Sequence, residues 1–204
     1  MLLAATCAAC GRRGASPCVD CHARLQTPAA EPDPPGLSGL VVLLRYDGPA
    51  RPLVARIKYR GHRQALGWLA AGLATRVVDE GHRPALVTWA PTTAAHRRAR
   101  GFDHGELLAR RVGRELAIPV RPLLRRRSGP AQTGRHARER LADGPVFALR
   151  PGSGRAALVA ATGPFLVVDD VVTTGATLRS AVTALRGAGC QGVVAAALAR
   201  TPRP

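Results

Sequence analysis

The sequence predicts an α/β protein, a parallel sheet flanked by helices, with a small four-cysteine module at its N-terminal end. Three observations carry this. Short runs that are apolar on both faces alternate with segments of helical period, the pattern of a parallel sheet covered on both sides. Two Cys-x-x-Cys pairs lie close together near the start. Near the other end, an apolar run stops at two acids and a Thr/Gly turn that opens a helix. A length of 204 residues suits one medium domain with an appendage. Apolar residues make up 46% of the chain, enough for a core, which excludes disorder throughout. Aromatics make up only 3%, so that core must be built from Leu, Val and Ala.

The elements follow in order. Residues 1–26 hold Cys7, Cys10, Cys18 and Cys21, with Gly11 and Gly14 allowing tight turns beside the first pair. In a reducing compartment this spacing reads as four thiolate ligands for a tetrahedral ion, Zn²⁺. Four protein ligands leave no open position, so the zinc is expected to be structural, and it would supply most of the module's folding energy. A redox pair is the other reading, and His22 beside Cys21 is a competing ligand. Residues 27–36, with Pro28, Pro32, Pro34 and Pro35, read as a stiffened linker. The main domain is expected over residues 37–204.

Residues 38–46, SGLVVLLRY, form a short apolar run that ends at the Asp47-Gly48 turn and reads as a strand. Leu53, Val54 and Ile57 share a face of a helix over 50–60, and Leu66, Leu69, Leu73 and Val77 do so over 64–78. Residues 85–90 read as a strand stopped by Pro91, 102–116 as a helix, and 118–124 as a strand. An irregular basic stretch follows. Residues 165–168 form a buried strand, 177–188 a helix closed by Gly189, and 192–198 the last strand. Cys190, between helix and strand, reads as a small core residue.

The most informative segment is 165–178, FLVVDDVVTTGATL. A buried strand delivers Asp169 and Asp170 to its C-terminal end, where open α/β sheets bind ligands. Val171, Val172, Thr173, Thr174, Gly175, Ala176 and Thr177 then lead into a helix. A helix N-terminus offers unpaired N–H groups to a phosphate, Gly175 permits close approach, and the three Thr hydroxyls add donors. Adjacent carboxylates repel phosphate. They suit the vicinal diol of a ribose, or act through a cation. No Gly-x-x-x-x-Gly-Lys-[Ser/Thr] is present, which disfavours a Walker-type nucleotide site.

This segment resembles the phosphoribosyl pyrophosphate (PRPP) signature of type I phosphoribosyltransferases. The resemblance implies that Asp169 and Asp170 hold the ribose 2′ and 3′ hydroxyls as the catalytic acids, and that residues 173–177 wrap the 5′-phosphate. The double Cys-x-x-Cys, Lys58-Tyr59-x-Gly61, Arg100-Gly101-Phe102, Gln132 and Glu139-Arg140 are similar to the ComF/GntX family over almost the full length. Asp103-His104 stands where that family has Asn-Gln, and Ala90-Pro91-Thr92-Thr93 where it has Pro-x-Pro-Leu. The resemblance implies PRPP and Mg²⁺ as substrate and cofactor, an acceptor that is a nitrogenous base or amine, and a link to DNA uptake in competence.

A second loop should receive the pyrophosphate, and Pro91, Thr92 and Thr93 sit in that place. Arg97 and Arg100 follow, and guanidinium forks match phosphate oxygens. Arg127 and Gln132 lie in the basic stretch 125–140, whose arginines suit either a lid over pyrophosphate or contacts to a nucleic-acid backbone. Lys58 is the sole lysine, retained either for its compact ammonium or by chance.

Lys and Arg number 30 against 13 Asp and Glu, a formal charge of +17. All but Lys58 of the cations are arginine, so part of this charge is compositional drift. It allows nucleic acid as a partner but does not require it, and scarce aromatics argue against a base-stacking platform. No apolar run reaches membrane-span length, and residues 1–7 lack the basic start of a signal. A cytoplasmic protein without membrane insertion is expected.

Overall fold

A computed structural model of the chain describes residues 6–57, 63–127, 145–152 and 163–202. The element order is α1 (Val19–Ala23), β1 (Leu40–Arg45), α2 (Ala50–Arg56), α3 (Arg63–Asp79), β2 (Leu86–Trp89), α4 (Ala94–Arg100), α5 (His104–Glu115), β3 (Leu124–Arg126), β4 (Phe147–Leu149), β5 (Phe165–Val172), α6 (Ala176–Gly187) and β6 (Val193–Arg200). Strands β1, β6, β5 and β2 form a parallel sheet in that order. A further parallel bridge joins Val87 to Val120 at the β2 edge.

The sheet is covered on both faces. On one face α2, α3 and α5 bury Leu53, Leu69, Leu73, Leu108 and Val112 against Val41, Leu166, Val168 and Leu198. On the other, α6 buries Leu178, Val182 and Leu185 with Leu123, Phe147, Phe165, Val167 and Leu37. The central strand β6, VVAAALAR, is buried throughout, and its alanines let both helical layers approach closely. Every β2 residue is buried as well; the hydroxyl of Thr88 accepts the Leu123 N–H at 3.3 Å. Strands buried on both faces cannot alternate, which is why they read as continuous apolar runs.

Three stretches depart from expectation. Residues 118–124 are not one strand: Val120 bridges β2, and Leu124 begins β3, which pairs antiparallel with β4. Arg125 and Arg126, read as part of an irregular stretch, belong to β3. Residues 94–100, to which the sequence assigns no element, form the separate short helix α4, closed by Gly101 at φ 75°. A hairpin of three-residue strands has too little periodicity of its own to be seen; pairing with its partner defines it.

α5, which follows β2 and α4, and α6, which follows β5, lie on opposite faces of the sheet. The C-terminal ends of these two adjacent strands therefore mark the switch point where open α/β sheets bind ligands.

Candidate functional site

Strand β5 pairs with β2 only over Phe165–Val168, matched to Leu86–Trp89. Ala90 N–H closes that pairing on the Val168 carbonyl at 3.1 Å, and Pro91 then turns the chain away. β5 runs on alone on this side, and its two acids sit in this stretch. Asp170 N–H donates to Oδ1 of Asp169, and Val171 N–H to Oδ1 of Asp170, each at 2.8 Å. The carboxylates thus turn onto backbone donors past the end of β2. Asp170 is buried and Asp169 half-buried.

Beyond β5 the chain passes through Thr173 and Thr174, both exposed, to Gly175. Gly175 has φ 76° and is the N-cap of α6. A Cβ there would lie 2.7 Å from Cβ of Pro34 and 3.3 Å from Cδ1 of Leu37. Glycine is required twice, for the left-handed backbone and for the close packing behind it. No side chain caps α6, although Ala176 N–H makes a long contact of 3.4 Å with the Thr174 hydroxyl. The first amides of α6 consequently face the cleft as donors, at the positive end of the helix dipole.

That cleft has a volume of about 350 Å³ and is lined by Asp169, Val171, Val172, Thr173, Thr174, Gly175, Ala176, Thr177 and Leu178. Arg126 and Pro145 close its far side. Partial burial pulls the Arg126 guanidinium below its ordinary value, with the charge of Asp169 acting in the opposite direction. The cleft therefore combines one carboxylate, one guanidinium, hydroxyl donors and open amides, a set matched to a phosphorylated polyol.

Asp170 faces the other way, toward α5, where Nε2 of His104 lies 3.3 Å from its Oδ2. Asp103 caps α5 through the Gly105 N–H at 2.9 Å and also takes the Thr92 N–H at 3.1 Å. Thr93 caps α4, accepting the His96 N–H at 3.1 Å. Pro91, Thr92 and Thr93 are half-buried at the end of β2, while Arg97 and Arg98 are exposed on α4. Arg127 is exposed just past β3, its N–H bonded to the Val146 carbonyl at 2.8 Å. Lys58, Tyr59, Gly61, Gln132, Arg135, Arg138, Glu139 and Arg140 lie outside the described residues, as does the side chain of Arg100.

The structure thus gathers Asp169 and residues 171–177 in one cleft. Asp170 and the Thr92 loop meet at the start of α5. The sequence reading had given no role to Asp103 and His104, and it had favoured Arg127 over Arg126. Asp before a helical run is an N-cap signal. Nothing local marks which of three successive arginines faces a cleft.

The four cysteines of the N-terminal module form a second centre. Their Sγ atoms all lie within 4.8 Å of one another, with Cys10 and Cys18 3.7 Å apart. Thiolates 2.3 Å from a tetrahedral ion stand roughly 3.8 Å from each other, so the group can hold a metal ion. Burial raises the Cys7 thiol, but backbone N–H groups of Cys10, Cys18 and Ala9 outweigh it and hold the group at about 6. Cys21 is pushed up to about 12, first by burial and then by the neighbouring thiols. Cys190 is buried and its thiol is raised to about 11 by that burial, which makes it unreactive.

With cleft and fold described, the class is clear. Residues 103–204, half of the chain, match the phosphoribosyl transferase domain family, and the protein belongs to it. Among solved structures, a purine phosphoribosyltransferase from Pyrococcus horikoshii aligns at 19% identity and a TM-score of 0.42, covering 67% of this chain and 74% of its own. Adenine phosphoribosyltransferase from Leishmania tarentolae aligns at 16% and 0.42, covering 68% and 71%. Orotate phosphoribosyltransferase from Aeropyrum pernix aligns at 18% and 0.41, covering 74% and 64%. Comparison with curated proteins found no match.

Proposed function

We propose that the protein binds PRPP with Mg²⁺ and transfers its phosphoribosyl group to a nitrogen acceptor, releasing pyrophosphate, as a cytoplasmic member of the ComF/GntX kind. One observation carries the reading: an acid pair in the stretch of β5 beyond the end of β2 is followed, through the Thr173-Thr174-Gly175 turn, by a helix N-terminus without a side-chain cap. Asp169 and Asp170 would hold the ribose 2′ and 3′ hydroxyls. Thr173, Thr174, Gly175, Ala176 and Thr177 would enclose the 5′-phosphate, with Arg126 across the cleft. Pro91, Thr92, Thr93, Arg97, Arg100 and Arg127 are the candidates for the pyrophosphate, with Lys58 and Gln132.

In this reaction the bond from ribose C1 to pyrophosphate oxygen breaks, and a bond from C1 to the acceptor nitrogen forms. The acceptor loses a proton. Positive charge develops on the sugar ring, where nearby carboxylates favour it. Mg²⁺ bound with PRPP would help neutralise the charge of the leaving group. The four-cysteine centre would hold Zn²⁺ as a structural ion with no open position.

Calorimetric titration with PRPP and Mg²⁺ tests this. The metal-loaded protein should bind, and Asp169→Ala with Asp170→Ala should lose binding. Equal binding by the double variant, or none by the wild type, would refute the site. Pyrophosphate release screened against bases and amines would then identify the acceptor.

A second reading has its own observation. His96, Arg97 and Arg98 on α4, and Arg125 and Arg127 about β3, are all exposed. This surface suits an accessory protein that contacts DNA or the DNA-uptake machinery without turnover. DNA binding through it should weaken linearly in log K against log salt; a flat response would exclude backbone contact.

A further inference from the structure

The reading above assigns no task to His104, yet its surroundings are specific. It is the first residue of α5, with a side chain 12% exposed, and Nε2 lies 3.3 Å from Oδ2 of Asp170, itself 10% exposed. The other oxygen of that carboxylate takes the Val171 N–H at 2.8 Å. Oδ1 is thus hydrogen-bonded on β5, while Oδ2 faces the imidazole on α5 at ion-pair distance. A carboxylate bonded at one oxygen and faced by an imidazole at the other, in a nearly dry place, is restricted in the direction it can turn.

The histidine is itself held. Asp103 caps α5 through Gly105 N–H at 2.9 Å and binds the Thr92 N–H at 3.1 Å. Gly105 lets the helix come this close: a Cβ there would stand 3.1 Å from Cδ1 of Trp89 and 3.3 Å from the Ala90 carbonyl oxygen. The start of α5 thus touches the end of β2, the loop after it and the acid on β5.

We infer that His104 is a positioning residue: its Nε2 orients Asp170 to receive a ribose hydroxyl, and through the cap of α5 it couples that acid to the loop at Thr92. This rests on reading Asp169 and Asp170 as the ribose-binding acids. His104 acts through Asp170 and is not placed against the substrate.

The test is titration of PRPP and Mg²⁺ into the metal-loaded full chain, for the wild type, His104→Leu, His104→Gln, Asp170→Asn and the double variant His104→Leu with Asp170→Asn. Leucine keeps bulk without a donor, whereas glutamine carries an N–H at nearly the reach of Nε2. His104→Leu should weaken binding roughly tenfold, the scale of one lost polar contact to a buried carboxylate, without lowering the unfolding temperature. His104→Gln should bind within about threefold of the wild type, and the double variant no more weakly than Asp170→Asn alone. If the leucine variant folds poorly, His104→Asn, too short to reach Oδ2, should show the same loss. Wild-type affinity in both the leucine and asparagine variants, no recovery with glutamine, or additive losses would overturn the inference and leave the ribose site standing. Absence of binding by the wild type would overturn both.

Discussion

Gly175 shows most directly how one position serves two demands. Its φ of 76° disfavours any residue with a Cβ, and that atom would also meet Pro34 at 2.7 Å. Gly175→Ala should destabilise the fold by roughly 1–3 kcal/mol and weaken PRPP binding, because the loop can relieve the clash only by moving toward the cleft. Adding Pro34→Ala should restore part of the stability, the part due to crowding and not to φ. Paired denaturant melts would show this; no recovery would mean that backbone strain alone sets the cost. The glycine, the acid pair and the threonines were legible in the sequence because they are neighbours in the chain. Their chemistry is that of one strand end and one helix start. His104 and Arg126 were not legible as site residues, since they reach the acids from α5 and β3.

At the scale of elements, the proline-rich stretch between the cysteine module and β1 packs closely. Pro34 and Leu37 back the Gly175 turn, and the Pro35 carbonyl accepts Arg179 at 3.3 Å. Arg200, buried at the end of β6, bonds the Pro32 carbonyl at 2.9 Å and pairs with Glu31 at 3.2 Å. Oδ2 of Asp33 takes the N–H groups of Gly39 and Leu40 at 2.8 and 3.3 Å. These contacts make residues 31–39 a strap across β6 and the start of α6. Leu37 is 7% exposed in the core beneath α6, so Leu37→Ala should cost about 2–4 kcal/mol in denaturant unfolding. A free spacer would tolerate the change within about 0.5 kcal/mol. Composition marks residues 27–36 as linker and starts the main domain at Leu37, because prolines lack N–H groups for helix or sheet; it carries no information on what their carbonyls and rings touch.

At the scale of the whole molecule, the cysteine module is seated on the sheet domain. Ala8, Ala9 and Leu25 join the core on the α3 side, and His22 meets Trp68 edge-on with ring centroids 5.3 Å apart. Metal removal should therefore be felt beyond the module. A strong chelator should lower the unfolding temperature of the full chain and increase binding of an apolar dye, and restoring Zn²⁺ should reverse both. An unchanged melt after verified metal loss would show that the thiols are held by packing alone. Among the described residues, no helix is long and apolar enough to cross a membrane. Of the cations behind the formal charge of +17, Arg126 is the one that lines the cleft among the described residues.

The sequence by itself determined the parallel α/β class, the four-cysteine cluster and the loop of acids, threonines and glycine. Each is written in contiguous residues or in a period, so local backbone chemistry suffices to read it. Tertiary structure alone decided that α5 and α6 take opposite faces, which makes the ends of β2 and β5 a switch point. It also brought His104 to Asp170, turned Arg126 and not Arg127 into the cleft, and laid the strap behind Gly175. Those outcomes depend on how buried faces pack across long chain separations, and neither spacing nor composition records that packing.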